Sequence, residues 1–426
     1  MNKIYNKTFD ETYYHEKLNN GLEVIIFHKP DYLTTSACFG TPYGALQVNE
    51  KHLGKKYNFN PGIAHFLEHK LFEAEGKDIL NQFSSIGSNV NAFTSYRETV
   101  YYFSRSNEDI EKSLNLLLDF VQDLDITDQS VAKEKPIICQ ELSMYLQNPD
   151  SRLINEAYKS MYKNYPLKYD IGGDDTTVNR ITKDELELCY SINYHPSNMA
   201  LVITTPIDPE KIMNIVRQNQ DSKKFKEVER PVVDNEEEPL EVVRKDYSFN
   251  MDIANDKVCY AIKLKPEFKN NLEARTAEWA MRLYLSAYFT SSNPEYQKWL
   301  DKNLINDYFG YEVDFSKDYA YLLFYNETEN AKSFKKLIDD ELKKKLLTSE
   351  LLEQLKRKTL GASFRTFNDI ENFTSGYIRN YLSGIDYFEE INNLMDLNMA
   401  SINATYQKFD YSNYALIHIS RCGEKS

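Results

Sequence analysis

From Lys223 to Asp246 the chain gives way to charge and proline, with Pro231, the run Asn235-Glu236-Glu237-Glu238, and Pro239. On either side of that stretch the same order of elements is written twice. Before it, Leu22 to Lys29 (LEVIIFHK) reads as a β-rich run closed by Pro30, and Thr34 to Gly40 as a second strand. VNAFTSYRETVYYFSR alternates and is rich in aromatic and β-branched residues, which predicts a long strand or hairpin ending near Arg105. Helical periodicity follows at Glu108 to Leu124 and at Asp128 to Leu146, where Pro136 should kink or restart the helix. After the charged stretch come a strand at Val258 to Lys265, helical runs at Asn271 to Thr290 and Ala331 to Arg357, and a closing strand at Tyr414 to Ser420. At 426 residues the chain exceeds one ordinary core. The pattern predicts an α+β fold of two similar halves, each a mainly antiparallel sheet with helices packed on one face. The expected division is a domain over 1–222, an acidic linker over 223–246 and a second domain over 247–426. There is no sequence-level repeat, so the duplication rests on element order alone.

Between the second strand and the hairpin, Asn60-Pro61 reads as an N-cap with proline at the first helical position, starting a helix that runs through HFLEHKLFEA until Gly76. In HFLEH, His65, Glu68 and His69 stand at i, i+3 and i+4, so two imidazoles and a carboxylate project from one side of one turn. Two histidines so placed can bind one zinc, and the carboxylate between them can take a proton from water whose pKa the metal lowers towards about 7. That is machinery for amide hydrolysis. A third ligand is needed, and KEKPIICQE offers Glu134 and Glu141, seven residues and two turns apart on one helix side. One could bind metal while the other supports it; the spacing does not choose between them. The plainer readings are a pair of surface histidines and two exposed helix glutamates.

HFLEH, the NAFTS segment downstream, EKPIICQE some seventy residues on and CYSINYHPSNMALVIT together resemble the insulinase/pitrilysin family of inverted-motif (HxxEH) zinc metallopeptidases, most closely its bacterial YmfH-like branch. The resemblance carries specific motifs over most of residues 20–205 and continues weakly to the C-terminus. It implies a metal site of His65, His69 and Glu141, a base at Glu68 and a supporting carboxylate at Glu134. It also implies that peptide substrate adds as a strand to an exposed sheet edge, matched here by Asn91, Ala92, Phe93 and Thr94; without the resemblance that stretch is an ordinary strand. The two halves would form a clam-like half chamber that admits short or unfolded peptides. Family members carry, in a second half or second subunit, an arginine seven residues before a tyrosine, which together stabilise the developing oxyanion. In WLDKNLINDYFGY, Tyr308 could match, but Asp301 stands at the arginine position. The resemblance then implies a heterodimer in which a homologous zinc-less subunit supplies the arginine. The alternatives are a homodimer or a monomer using other residues, for which nothing in the spacing recommends Arg357, Arg365 or Arg379.

Composition narrows the remaining classes. A formal charge of −14 and the lack of a basic stripe interleaved with aromatics argue against nucleic-acid binding. Five scattered cysteines, never spaced CxxC, suit neither a disulfide framework nor a thiolate metal site and are expected to be reduced thiols. The N-terminus is polar and acid-bearing, unlike a signal peptide, and no apolar run approaches a membrane span. The expected location is the cytoplasm. His195, before a proline, reads as a turn histidine and His28 as a core or edge histidine; His15, His52 and His418 have no partner at ligand spacing. Two rivals to a peptidase stand: a non-catalytic, zinc-stabilised peptide-binding or assembly subunit, and a scaffold with a chance motif. The missing arginine favours the first rival, and an open fourth metal position disfavours it.

Overall fold

A computed structural model describes residues 1–74, 77–106, 110–226, 229–345 and 347–422. The first half builds a seven-stranded sheet in the order Asn2–Asn6, Glu11–Lys17, Glu23–His28, Ala200–Thr205, Thr34–Thr41, Thr99–Ser106 and Asn89–Thr94. Every neighbouring pair is antiparallel except Glu23–His28 with Ala200–Thr205. The second half builds five strands in the order Asp246–Met251, Tyr414–Arg421, Lys257–Leu264, Ala320–Glu327 and Gly310–Phe315. Here too one pair alone is parallel, the first strand of the half with its last. The five strands repeat the inner order and senses of the first sheet, so the similarity inferred from element order extends to strand topology. Asn2–Asn6 and Glu11–Lys17 are the first sheet's addition. Their side chains are mostly exposed or half-buried, which is why the polar leader carries no apolar strand signature.

Alternation assigns the faces of the seven-stranded sheet. Val24, Ile26, Ala37 and Phe39 join the core beneath the helix Ile110–Val121. The other face meets the helix Ile370–Leu382: Phe27 packs edge-on against Phe373 and Tyr377, both at 4.8 Å, and Thr374 donates to Thr204 Oγ1 at 2.7 Å. This sheet therefore has helices on both faces rather than one, and Ala200–Thr205 is buried along its whole length. In the second sheet, the helix Pro149–Met161 packs on Lys257–Leu264 and Tyr414–Arg421, with Tyr158 and Tyr321 hydroxyls 2.9 Å apart. The compact units consequently cut across the linear division at 222 and 247. One comprises 1–142, 169–235 and 365–387; the other comprises 143–168, 236–364 and 388–426. The physical reason is this exchange of one covering helix each way, which no linear reading of composition can register.

Four local expectations are adjusted. The site helix spans Ile63–Phe72 and starts from Gly62 at φ 93°, not from Asn60. Gly173 and the carbonyl of Gly172 press against Pro61 and Gly62 so closely that a Cβ on Gly62 would collide with them, while Asn60 is held by Glu185 instead. The helix ends at Phe72, and Glu73–Ala74 pairs with Lys77–Asp78; the expected end at Gly76, like the expected start of the next helix at Glu108, lies outside the described residues. The helix Asp128–Gln147 does not restart at Pro136, because Val131, Ile138 and Leu142 anchor both sides of the proline in the core. The acidic stretch is not a free strap. Val232–Val233 pairs with Lys51 and Glu50, and Glu238 accepts from the amides of Lys163, Asn164 and Tyr165 at 2.9, 2.7 and 2.7 Å and from Lys263 Nζ at 2.7 Å. Although burial opposes it, these donors hold the Glu238 carboxyl below the usual range.

Candidate metal centre

The site helix has two sides with two tasks. Ile63, Phe66, Leu67 and Leu71 are buried in the core, which fixes the rotation of the helix and leaves His65, Glu68 and His69 half-buried on the opposite side. Glu134 and Glu141 come from the helix Asp128–Gln147, anchored by Val131, Ile138 and Leu142. His65, His69 and Glu141 each offer one ligand atom to a group lying within 4.8 Å, the one such group of three among the described residues. The two Nε2 atoms are 3.3 Å apart, and Glu141 oxygens lie 3.8 Å from His65 Nε2 and 3.5 Å from His69 Nε2. Two nitrogens bound to one tetrahedral zinc at about 2.0–2.1 Å are themselves separated by about 3.3 Å. The donor set thus fits zinc in both chemistry and spacing.

Position separates the two glutamates. Glu141 joins the histidines, whereas Glu134 sits behind His69, its Oε1 3.0 Å from Nδ1. A proton on Nδ1 shared with that carboxylate leaves the Nε2 lone pair facing the ligand group. Burial works against protonating both rings. It lowers His65, with His69 adding to the effect, while in His69 the Glu134 hydrogen bond and charge outweigh burial and raise the pKa. Behind His65 stands Gly172, where a Cβ would lie 3.2 Å from Nδ1 and 2.6 Å from Leu142 Cδ2.

Glu68 is held by Thr94, whose hydroxyl donates to Oε2 at 2.7 Å. Thr94 ends the edge strand Asn89–Thr94, which pairs on one side only among the described residues. The hairpin fixes which backbone groups face outward. Ser95 N–H donates to Glu98 O, making that a hydrogen-bonded pair, and the pattern alternates along an antiparallel ladder. Phe93 and Asn91 therefore bond inward to Val100 and Tyr102, while Ala92 and Thr94 present N–H and C=O to the open edge. In agreement, Ala92 N–H donates at 2.8 Å to the Asn91 side chain. Of the four residues matched to a substrate strand, two offer main chain and the other two do not.

Tyr308 belongs to the other unit, and its hydroxyl donates to Asp150 Oδ1 at 2.6 Å beneath Lys257, 3.6 Å from the ring. Burial and Asp150 push that phenol up. Of the three arginines weighed, Arg365 and Arg379 lie in the unit of the histidines, and Arg379 is paired with Glu98 at 2.9 Å and lies 5.7 Å from the Phe93 ring. His195 caps a short turn, its Nδ1 accepting from Ser197 N–H, as its place before proline suggests. Two contributors escaped sequence reasoning. Lys70 points into the core side of the site helix, and its signal was a lysine on the stripe of Ile63, Phe66 and Leu67. Gly172 had the weaker signal of a Gly-Gly pair after a helix. In the second half, the helix Asn271–Tyr288 follows the strand Lys257–Leu264 as the site helix follows Thr34–Thr41. It carries buried Glu278 between Arg275 and Arg282, an ion-pair cluster where the first half gathers histidines.

A helix bearing two histidines and a glutamate, faced by a glutamate of a second helix, is a side-chain set that a metalloprotease would use. The chain belongs to the insulinase family, peptidase family M16, a family of zinc proteases: residues 55–175 match the insulinase domain of that family, and residues 180–386 match the peptidase M16 inactive domain. It is 35% identical over 404 residues to the uncharacterized zinc protease YmfH of Bacillus subtilis, covering 93% of this chain and 94% of that protein. It is 29% identical over 208 residues to the mitochondrial-processing peptidase subunit beta of Saccharomyces cerevisiae, covering 47% of this chain and 43% of that one. An M16-like peptidase from Alicyclobacillus acidocaldarius shares the fold with a TM-score of 0.90 at 29% identity, over 97% of this chain and 99% of that one. A Helicobacter pylori protease matches in fold at a TM-score of 0.82 and 17% identity, over 96% and 99%. No described helix is long and apolar enough to cross a membrane.

Proposed function

We propose that this chain is a zinc endopeptidase of extended peptides, with His65, His69 and Glu141 as metal ligands, and that it is the zinc-bearing member of a heterodimer. The observation that carries the reading is the convergence of those three donors beside Glu68, which Thr94 ties to an open sheet edge. Bound zinc would polarise the scissile carbonyl and acidify the attacking water. Glu68 accepts the proton of that water and delivers it to the leaving amine, while Thr94 keeps Oε2 of the base aimed. Ala92 and Thr94 hold the substrate backbone by strand addition, which only a segment with unpaired N–H and C=O groups can do; this favours short or unfolded peptides in the cytoplasm. Glu134 orients His69.

Asp301 at the expected arginine position supports a partner, a homologous subunit without the zinc motif, with a second copy of this chain as the other candidate. The deciding test is hydrolysis of a diverse fluorogenic peptide pool by the zinc-loaded chain with Glu68→Gln as control. Cleavage by wild type and none by a variant that still holds zinc is the expected result for a self-sufficient peptidase. Zinc bound by both without cleavage favours the half-site reading, and then Tyr308 would be complemented from the partner. Zinc bound by neither overturns the proposal.

A further inference from the structure

Lys70 occupies a place that helix periodicity reserves for an apolar side chain. It lies on the stripe of Ile63, Phe66, Leu67 and Leu71, and its side chain has 0% exposure. A buried ammonium costs several kcal/mol unless oxygens surround it. Three groups do: the Glu73 carboxylate in an ion pair, the Ser130 carbonyl at 3.3 Å and Glu134 Oε2 at 3.9 Å. Glu134 is itself buried, and its two oxygens are divided, Oε1 to His69 Nδ1 and Oε2 towards Lys70. Ser130 and Glu134 both belong to the helix that brings Glu141. One buried cation thus lies 3.9 Å from the carboxylate behind a histidine and donates to the backbone of the helix that carries Glu141.

We propose that Lys70 is a positioning residue of the metal centre. Its charge holds Glu134 directed at His69 Nδ1, so that the His69 Nε2 lone pair faces the ligand group. This rests on the reading of His65, His69 and Glu141 as metal ligands. A methionine has the length to fill the same space but leaves Glu134 without its counter-charge.

The test is zinc affinity, by chelator competition, of the full chain and of Lys70→Met, Glu134→Gln and the double variant. Orienting partners of metal-bound histidines are worth about 10–100-fold in affinity. Lys70→Met is expected to weaken zinc by that range, Glu134→Gln likewise, and the double variant no more than Glu134→Gln alone, because Lys70 acts through Glu134. A purely structural role would instead weaken zinc independently of residue 134. Unchanged affinity in Lys70→Met, or losses that multiply in the double variant, would overturn the proposal. Should Lys70→Met not fold, Lys70→Arg decides: with the charge kept, affinity within about threefold is expected, and a tenfold loss in a folded Lys70→Arg refutes positioning by charge. A wild type that binds no zinc sinks the metal-centre reading itself and is distinguishable from all of these.

Discussion

Thr94→Val isolates the hydrogen bond that holds Glu68, the proposed base. The substitution keeps the β-branched shape and the outward main chain of residue 94, and removes only the hydroxyl 2.7 Å from Glu68 Oε2. Hydrogen bonds to charged groups contribute about 1.5–3 kcal/mol. If that energy serves to hold the carboxylate where it meets the water proton, its loss lowers kcat about 10- to 100-fold. KM should hold within about twofold, since strand pairing uses backbone that valine retains. Zinc stoichiometry should not change, because Thr94 touches none of the three donors. The assay is steady-state hydrolysis of one peptide chosen from the pool, with zinc content measured on the same samples and Thr94→Ser as the restoring control. A Thr94→Val protein with kcat within twofold of wild type refutes the argument, as does a loss that serine fails to restore.

Replacing Ala92 with proline removes an N–H that faces the open edge, where proline is tolerated, and should raise KM about three- to tenfold for extended peptides by the loss of one hydrogen bond; an unchanged KM would count against strand addition. Gly172→Ala should weaken zinc about tenfold or more, since its Cβ would meet Leu142 at 2.6 Å and His65 Nδ1 at 3.2 Å and overpacking costs about 1–3 kcal/mol; chelator competition reads it. Burial lifts the Glu50 carboxyl to about 7, against the hydrogen bond from Asn193. The folded state therefore holds that proton more tightly than the unfolded chain, so the contribution of this group to stability is full below pH 4.5 and is lost as pH rises through about 7, a change of up to about 3 kcal/mol. Glu50→Gln should match wild type near pH 4.5 and exceed it at pH 8, as read from the urea midpoint of the unfolding transition; a pH-independent difference is the refuting result.

Much of the site was legible because its signals are local. His65, Glu68 and His69 are fixed relative to one another by a single helical turn, and Glu134 and Glu141 by two. What separated the two glutamates was the placement of one helix against another, which spacing along a single helix does not contain. The edge strand was visible as alternation, yet the division of labour among Asn91, Ala92, Phe93 and Thr94 follows from the hydrogen-bond phase set at Ser95 and Glu98. Lys70 passed unread although it is a charge on an apolar stripe, and its partners Ser130 and Glu134 lie some sixty residues away.

The sequence by itself determined element type, the two-fold repetition of order and the candidate donors, two histidines with a pair of glutamates, because helix and strand periods and i, i+3, i+4 geometry act over a few residues. Tertiary structure alone decided that Ile370–Leu382 covers the first sheet and Pro149–Met161 the second, and that Glu141 rather than Glu134 lies beside both Nε2 atoms. It also gave the Tyr308 hydroxyl to Asp150. Those outcomes depend on which surfaces find each other across some seventy residues or more, and an apolar stripe states that it must be covered without stating by what.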